Sequence, residues 1–407
     1  MNRKYFSYSI LAILLISILS AGCIINKRGP YKNYVVLVSM DAFRWDYPDI
    51  YDTPNLDELA RDGVKAGRLI PSFPTITFPN HYSIATGLYP DHHGIVNNNF
   101  PAPDLGLYYS MGNNDAVLNP AFYGGEPIWV TAENQGILSA TFYWVGSEAP
   151  VKGKQATYWK LYDESIAYEA RIDTVIKWLS YHPEKRPGFV TLYFDEPDAI
   201  GHGYGPVSPQ TREVVERLDS LVGVLRLKLS DLPHTRKINL IVLSDHGMSP
   251  VSPDRYVNLI ELVPERLIVA ISGGNPVYTI NPAEGKTDSV LYYLRLGEGF
   301  SAYEKSELPE RLHYGSNPRI HDIVVIADSS WSIGTRPGPS RHLGAHGYDN
   351  ANSDMHAIFY AAGPAFKKGY SFNRLDNVDI YNLICSILEI NPAENDGDIN
   401  NIRHLLK

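Results

Sequence analysis

At 407 residues the chain is long enough to bury a large core, as one elaborated α/β domain or as two domains. A formal net charge of -9, with no long Lys/Arg run, argues against a nucleic-acid polymer as the main partner. Two cysteines imply no disulfide scaffold, and the 28 tyrosines leave an aromatic-lined cleft available.

The first elements are targeting signals. Met1-Asn-Arg-Lys4 is a short basic region, and Ser9 to Leu19 is an apolar run too short and too early for an ordinary membrane span. The run ends in Leu19-Ser-Ala-Gly-Cys23, which resembles the bacterial lipobox, where signal cleavage leaves a lipidated cysteine as the new N-terminus. The expectation is a signal peptide over 1–22, lipid on Cys23 and a tether over 23–33. The chain would then be an exported lipoprotein, anchored through Cys23 on the periplasmic or cell-surface side of a membrane. Cys385, in the apolar pattern Ile380 to Leu388, reads as a small core residue.

The catalytic domain is expected over 34–396, with 397–407 as a C-terminal tail. Tyr34 to Met40, Phe189 to Phe194 and Ile238 to Ser244 are largely apolar runs without clean in/out alternation, so they read as strands buried on both faces. Helical periods lie between them, over Ser165 to Ser180 and Gln210 to Leu229. The fold class is α/β, with a mostly parallel central sheet and helices on both faces. Pro101 to Gly125 reads as a surface excursion, and about 253–344 as an inserted subdomain or cap. Asn373 to Asn391 reads as a terminal helical return, opened by Asp376 or Asn377.

Between the first strand and the first long helix lies Pro74-Thr-Ile-Thr77-Phe-Pro-Asn-His81. A hydroxyl residue followed within two positions by proline reads as a helix start, with Thr77 as the N-cap. Free backbone N–H groups and the positive end of the helix dipole would surround that hydroxyl, which suits a phosphate. On these residues alone the stretch is an ordinary capping threonine.

The strand ends change its weight. Asp41 follows the first strand. Asp198 and His202, four apart beyond the second, share a face if that loop turns helically. Asp245 and His246 follow the third, and His346 stands between glycines. In open α/β sheets ligands bind beyond the carboxyl ends of the strands, where these residues converge. Mixed Asp/His sets suit Zn²⁺, and two sets of three would hold two ions. Two cations about 4 Å apart can clamp the attacking and leaving oxygens of an in-line phosphoryl displacement. Thr77 would then be the nucleophile, forming a phosphothreonine that water hydrolyses.

Five motifs in this order resemble the nucleotide pyrophosphatase/phosphodiesterase family of the alkaline phosphatase superfamily. They are Val38-Ser-Met-Asp41-Ala-Phe-Arg, Thr77-Phe-Pro-Asn-His-Tyr-Ser running on to Asn98, Glu196-Pro-Asp198-Ala-Ile-Gly-His202, Ser244-Asp-His-Gly-Met248 and Gly344-Ala-His346-Gly-Tyr-Asp-Asn350. The resemblance spans about 31–396. It implies an alkaline phosphatase-like sandwich and two Zn²⁺ ions per chain. Asp198, His202 and His346 would hold one ion, and Asp41, Asp245 and His246, with Thr77, the other. It also implies that Asn98 and the backbone N–H of Phe78 steady a phosphoryl oxygen. Phe78 would form one wall of a nucleobase slot, with Trp159 opposite and Tyr158 or Tyr162 as alternatives.

The expected activity is hydrolysis of nucleotide 5′-phosphodiester and pyrophosphate bonds, releasing nucleoside 5′-monophosphates. A lysophospholipid or choline-phosphate diesterase on the same two-zinc site is the alternative. A non-catalytic surface-binding lipoprotein would call for a lost ligand residue, and all six are present.

Overall fold

Strands covered on both faces have no solvent side to keep polar, and the central strands of this protein obey that rule. The structure, a computed structural model, describes residues 31–338 and 341–407. The expected signal peptide, Cys23 and most of the tether lie outside the described residues. Its main strands, in chain order, are β1 (Tyr34–Met40), β2 (Val64–Ile70), β3 (Ser139–Phe142), β4 (Tyr158–Trp159), β5 (Phe189–Phe194), β6 (Ile238–Leu243), β7 (Ile268–Gly274), β8 (Val277–Pro282), β9 (Phe300–Glu304), β10 (Ile323–Ala327), β11 (Phe359–Ala362) and β12 (Tyr370–Asp376). Its main helices are α1 (Pro54–Asp62), α2 (Thr77–Thr86), α3 (Tyr168–Leu179), α4 (Asp198–Tyr204), α5 (Pro209–Ser230) and α6 (Asp379–Leu388).

Eight strands form one sheet in the order β12-β2-β11-β6-β1-β5-β3-β4. Only β11 runs against its neighbours, β2 and β6; every other pair is parallel. In β1 the residues Tyr34, Val36, Val38 and Met40 face a core closed by α1, α3 and α5. Val35 and Leu37 face a second core closed by α2 and α6. The expected α/β sandwich is therefore what forms. Asp219 of α5 ties two helices of the first layer, accepting hydrogen bonds from Leu56 N at 2.8 Å and Asn55 N at 3.2 Å. It caps the start of α1, where Thr53 makes no side-chain cap.

The segment expected as an insertion contributes a separate antiparallel sheet, β7-β8-β10-β9, with its own apolar cluster. The helical return begins later than the sequence suggests. Tyr370 to Asp376 is the edge strand β12, pairing parallel with β2, and α6 starts only at Asp379. Residues 397–407 do not trail away, because Ile402 and Leu405 are fully buried against the second core. No helix among the described residues is long and apolar enough to cross a membrane.

Asp379, in the first turn of α6, holds that last segment by accepting from Asp398 N at 2.8 Å and Asn401 Nδ2 at 3.1 Å. Burial pushes its carboxyl up to about 6 from an ordinary value of 3.8, against those two hydrogen bonds. The folded chain thus holds this proton more tightly than the unfolded one. The stabilisation is complete below about pH 4 and is lost as pH rises through 6. Asp379→Asn is expected to remove ~1–3 kcal/mol of that pH dependence. Denaturant midpoints between pH 4 and 7 check this, and a slope equal to that of the parent chain would refute it.

Candidate active site

The carboxyl ends of β1, β5 and β6 deliver the acids. Asp41 follows β1 directly, and Asp245 with His246 follows β6. Beyond β5 the chain turns into α4, which places Asp198 and His202 one helical turn apart on one face. His346 comes from the loop after Gly344–Ala345, a two-residue strand paired with Ser249–Pro250. The result is two groups, Asp198/His202/His346 and Asp41/Asp245/His246, each with its ligand atoms within 4.8 Å of one another. The rings of His246 and His346 stack at 3.8 Å, so the groups adjoin.

All three histidines are fixed in one tautomer by the main chain. Nδ1–H donates to Gly344 O from His202 at 2.8 Å, to Gly247 O from His246 at 2.9 Å, and to Thr75 O from His346 at 3.0 Å. Each Nε2 lone pair is thereby turned inward, toward carboxylate oxygens that also carry only lone pairs. His246 Nε2 lies 3.5 Å from Asp41 Oδ1 and 3.1 Å from Asp245 Oδ2. Asp198 Oδ1 lies 3.5 Å from His202 Nε2 and 3.3 Å from His346 Nε2. Those same three oxygens, Asp41 Oδ1, Asp198 Oδ1 and Asp245 Oδ2, are buried without a hydrogen-bond donor among the described residues. Ligands held ~2.0–2.1 Å from a tetrahedral cation sit about 3.3 Å apart. The donor set therefore fits a divalent cation in each group.

Without cations the electrostatics are costly. Burial, then the carboxylates of Asp245 and Asp198, pushes Asp41 well above the usual range. Burial likewise raises Asp198, and only protonated His202 and His246 would offset it. Burial also acts to raise Asp245, and protonated His246 and His81 would carry it below its ordinary value.

Thr77 is not the N-cap that the sequence suggests. Ile76 is, with extended φ and ψ of -122° and 148°, and Thr77 is the first helical residue. An N-cap side chain folds back onto its own helix, whereas this hydroxyl is free of that duty. Thr77 Oγ1 instead lies 3.1 Å from His246 Nε2. Asn98 Oδ1 accepts from Phe78 N at 3.1 Å, which leaves Nδ2 as the donor end of that amide.

The aromatic candidates separate. Phe78 is partly buried and packs edge-on against Tyr109. Tyr162, half exposed, is edge-on to Tyr143 and lines an open depression of about 610 Å³. Burial, then Asp195, raises its hydroxyl pKa, and Asp41 lies within the same field. Trp159 stands exposed on the edge strand β4. Tyr158 does not reach the site, for its ring stacks on Trp178 and its hydroxyl donates to Lys185 O.

Sequence reasoning missed the supports. Tyr193 OH donates to Asp41 Oδ2 at 2.6 Å. His81 Nδ1 donates to Thr77 O at 3.0 Å, lies 3.2 Å from Asp245 Oδ2, and has its Nε2 2.9 Å from Ser39 Oγ. Two signals were present. Tyr193 is the only polar-tipped aromatic in its apolar run, and His81 sits one helical turn after Thr77.

Comparison with known proteins identifies the family. The family model for type I phosphodiesterase/nucleotide pyrophosphatase matches residues 35–349. The venom phosphodiesterase CdcPDE of Crotalus durissus collilineatus is 38% identical over 401 residues, covering 95% of this chain and 48% of that protein. Ectonucleotide pyrophosphatase/phosphodiesterase family member 1 of Homo sapiens is 37% identical over 389 residues, covering 91% of this chain and 42% of that protein. The chain thus spans about half the length of the curated relatives it matches. Among solved structures, murine ectonucleotide pyrophosphatase/phosphodiesterase 5, an inactive variant in complex with AMP, superposes with a TM-score of 0.88 at 34% identity. That match covers 92% of this chain and 100% of the murine one. The human counterpart gives the same score and identity, with 99% of its chain covered. With the family model matched over most of its length and its relatives in agreement, the chain belongs to the type I phosphodiesterase/nucleotide pyrophosphatase family, on an alkaline phosphatase-like fold.

Proposed function

We propose that the protein is a two-zinc phosphodiesterase that hydrolyses nucleotide 5′-phosphodiester and pyrophosphate bonds, releasing nucleoside 5′-monophosphates. The observation that carries this reading is Thr77 Oγ1, set at the positive end of α2 and 3.1 Å from a histidine of the candidate metal groups. Asp198, His202 and His346 would hold one zinc, and Asp41, Asp245 and His246 the other, with Thr77 beside it. The bound ions would supply Lewis acidity and positive charge against the phosphoryl oxygens.

The chain's own groups do the rest. Thr77 Oγ1 gives up its proton to solvent and forms a bond to phosphorus as the bond to the leaving oxygen breaks, giving a phosphothreonine. The leaving oxygen takes up a proton from solvent as its basicity requires. Water then cleaves that ester and restores the hydroxyl. Asn98, its Oδ1 held by Phe78 N–H, would turn Nδ2 to a non-bridging oxygen, which gains charge in the transition state. Phe78 forms one wall of the base slot in this reading, and Trp159 or Tyr162 the other. Stacking tolerates any base, so the slot grips a nucleoside without choosing one. Tyr193 and His81 are positioning residues, orienting Asp41 and Asp245. We further infer that the enzyme works outside the cytoplasm, anchored by lipid on Cys23, as its N-terminal pattern suggests.

Thr77→Ala is expected to keep about two zinc ions per chain by elemental analysis, yet lose roughly three orders of magnitude or more in turnover of a chromogenic nucleotide diester. Near-parental turnover would sink the nucleophile assignment. A panel of nucleoside triphosphates, dinucleotides, choline-phosphate diesters and phosphomonoesters, compared by kcat/KM, separates the substrate classes; a best rate on choline-phosphate diesters would overturn the nucleotide reading. Tyr193→Phe removes only the hydroxyl that donates to Asp41. It is expected to weaken one of the two metals about 10–100-fold in a chelator competition, leaving the other unchanged. Equal affinities in variant and parent would remove Tyr193 from the supports.

A further inference from the structure

The amino ends of the strands, opposite the candidate active site, carry an open depression of about 380 Å³ between α1, the last turns of α5 and the chain after β11. Four cations line it, Arg226, Arg236, Lys368 and Lys407, against one acid, Asp62. Arg226 is matched by Asp62 at 2.7 Å and Glu58 at 3.0 Å. Arg236, Lys368 and Lys407 have no carboxylate partner among the described residues, although Lys407 Nζ donates to Pro364 O at 3.0 Å. In a chain of net charge -9, three unmatched cations around one hollow form a local reversal of sign.

The position of the hollow says what it meets. The chain enters the fold beside it: Lys237 Nζ donates to Tyr31 O at 3.1 Å, and Tyr34 pairs with Ile238 at the start of β1 and β6. Tyr31 is clamped in turn, its hydroxyl accepting from Leu138 N at 2.9 Å. Eight residues separate Cys23 from Tyr31, a reach of at most about 29 Å. Across the sheet, Asp245 stands seven residues beyond Ile238, about 23 Å away along the strand direction.

We propose that this basic hollow is a membrane-docking face that binds the phosphate headgroups of an anionic phospholipid leaflet. It rests on the reading of Cys23 as the lipidated anchor. The short tether brings this end of the sheet to the bilayer, and Arg236, Lys368 and Lys407 then fix the orientation by charge. The candidate active site is held facing away from the membrane. Charges near an anionic leaflet act within a Debye length, so the docking is salt-sensitive.

The test uses the full chain on vesicles of phosphatidylcholine alone or with phosphatidylglycerol, read by amine-labelling rates and mass spectrometry. Lys368 and Lys407 are expected to label about threefold or more slowly on the anionic vesicles, with the difference abolished by ~0.5 M salt. Lys160, beyond the carboxyl end of β4, should label equally on both. Full-chain R236E, K368E and K407E combined should lose the salt-sensitive protection, measured at the remaining Lys237 and Lys367, while hydrolysing a soluble diester at the parental rate. Equal labelling of Lys368 and Lys407 on the two vesicle types overturns the docking face, whether or not Cys23 carries lipid. Equal protection by free inorganic phosphate without vesicles also overturns it, in favour of a small-anion site. The mass of the Cys23 peptide tests the anchor separately: an unmodified Cys23 with protection retained would refute the anchor and support the face.

Discussion

Three carboxylates converge at the site, Asp41 and Asp245 buried and Asp198 partly so, and most of the site exists to make that tolerable. Burying one unpaired charge costs several kcal/mol, and neighbours of like sign add to the cost. The protein does not relieve this with arginine; Arg44 turns to Asp46 and Arg171 to Asp195. It surrounds the acids with histidines whose protons are committed to backbone carbonyls. The negative potential is thus preserved for a cation, and His81 and Tyr193 fix the acids from behind.

The sheet makes such a concentration of charge possible. Strands sealed on both faces admit polar groups only at their ends, and parallel strands put those ends together. The single antiparallel strand, β11, lies next to β6 and leaves the β6-β1-β5 run of parallel ends intact. Thr77 enters from α2, outside the sheet. At the first helical position, and not at the cap, its hydroxyl keeps the dipole of the helix without spending its lone pairs on the helix's own N–H groups.

What was legible in the sequence follows the same physics. β1, β5 and β6 were readable because two-sided burial writes an unbroken apolar run, and the acids were readable because they interrupt it. The other sheet strands were not. β2 carries Lys65, Gly67 and Arg68; β11 is four residues long and half alanine; β12 alternates as an edge strand and was absorbed into the helical period that follows. The residues of the candidate metal groups were legible as strand-end acids and histidines, while their division into two sets came from the family resemblance. The base-slot candidates were not resolved, because Trp159 and Tyr162 differ only in how a surface loop leaves β4, and no periodicity governs a loop. Tyr158 stayed among them in the sequence; only the structure shows it turned toward Trp178.

That loop has a consequence of its own. Phe78 is the residue next to Thr77, so in the proposed mechanism its wall of the slot is tied to the attacking hydroxyl by one peptide bond. Tyr162 belongs to a surface segment, 160–166, whose residues ligate nothing in either metal group. In the proposed reading, one half of base recognition is therefore bound to the chemistry, while the other could be rewritten without touching a residue of either candidate metal group.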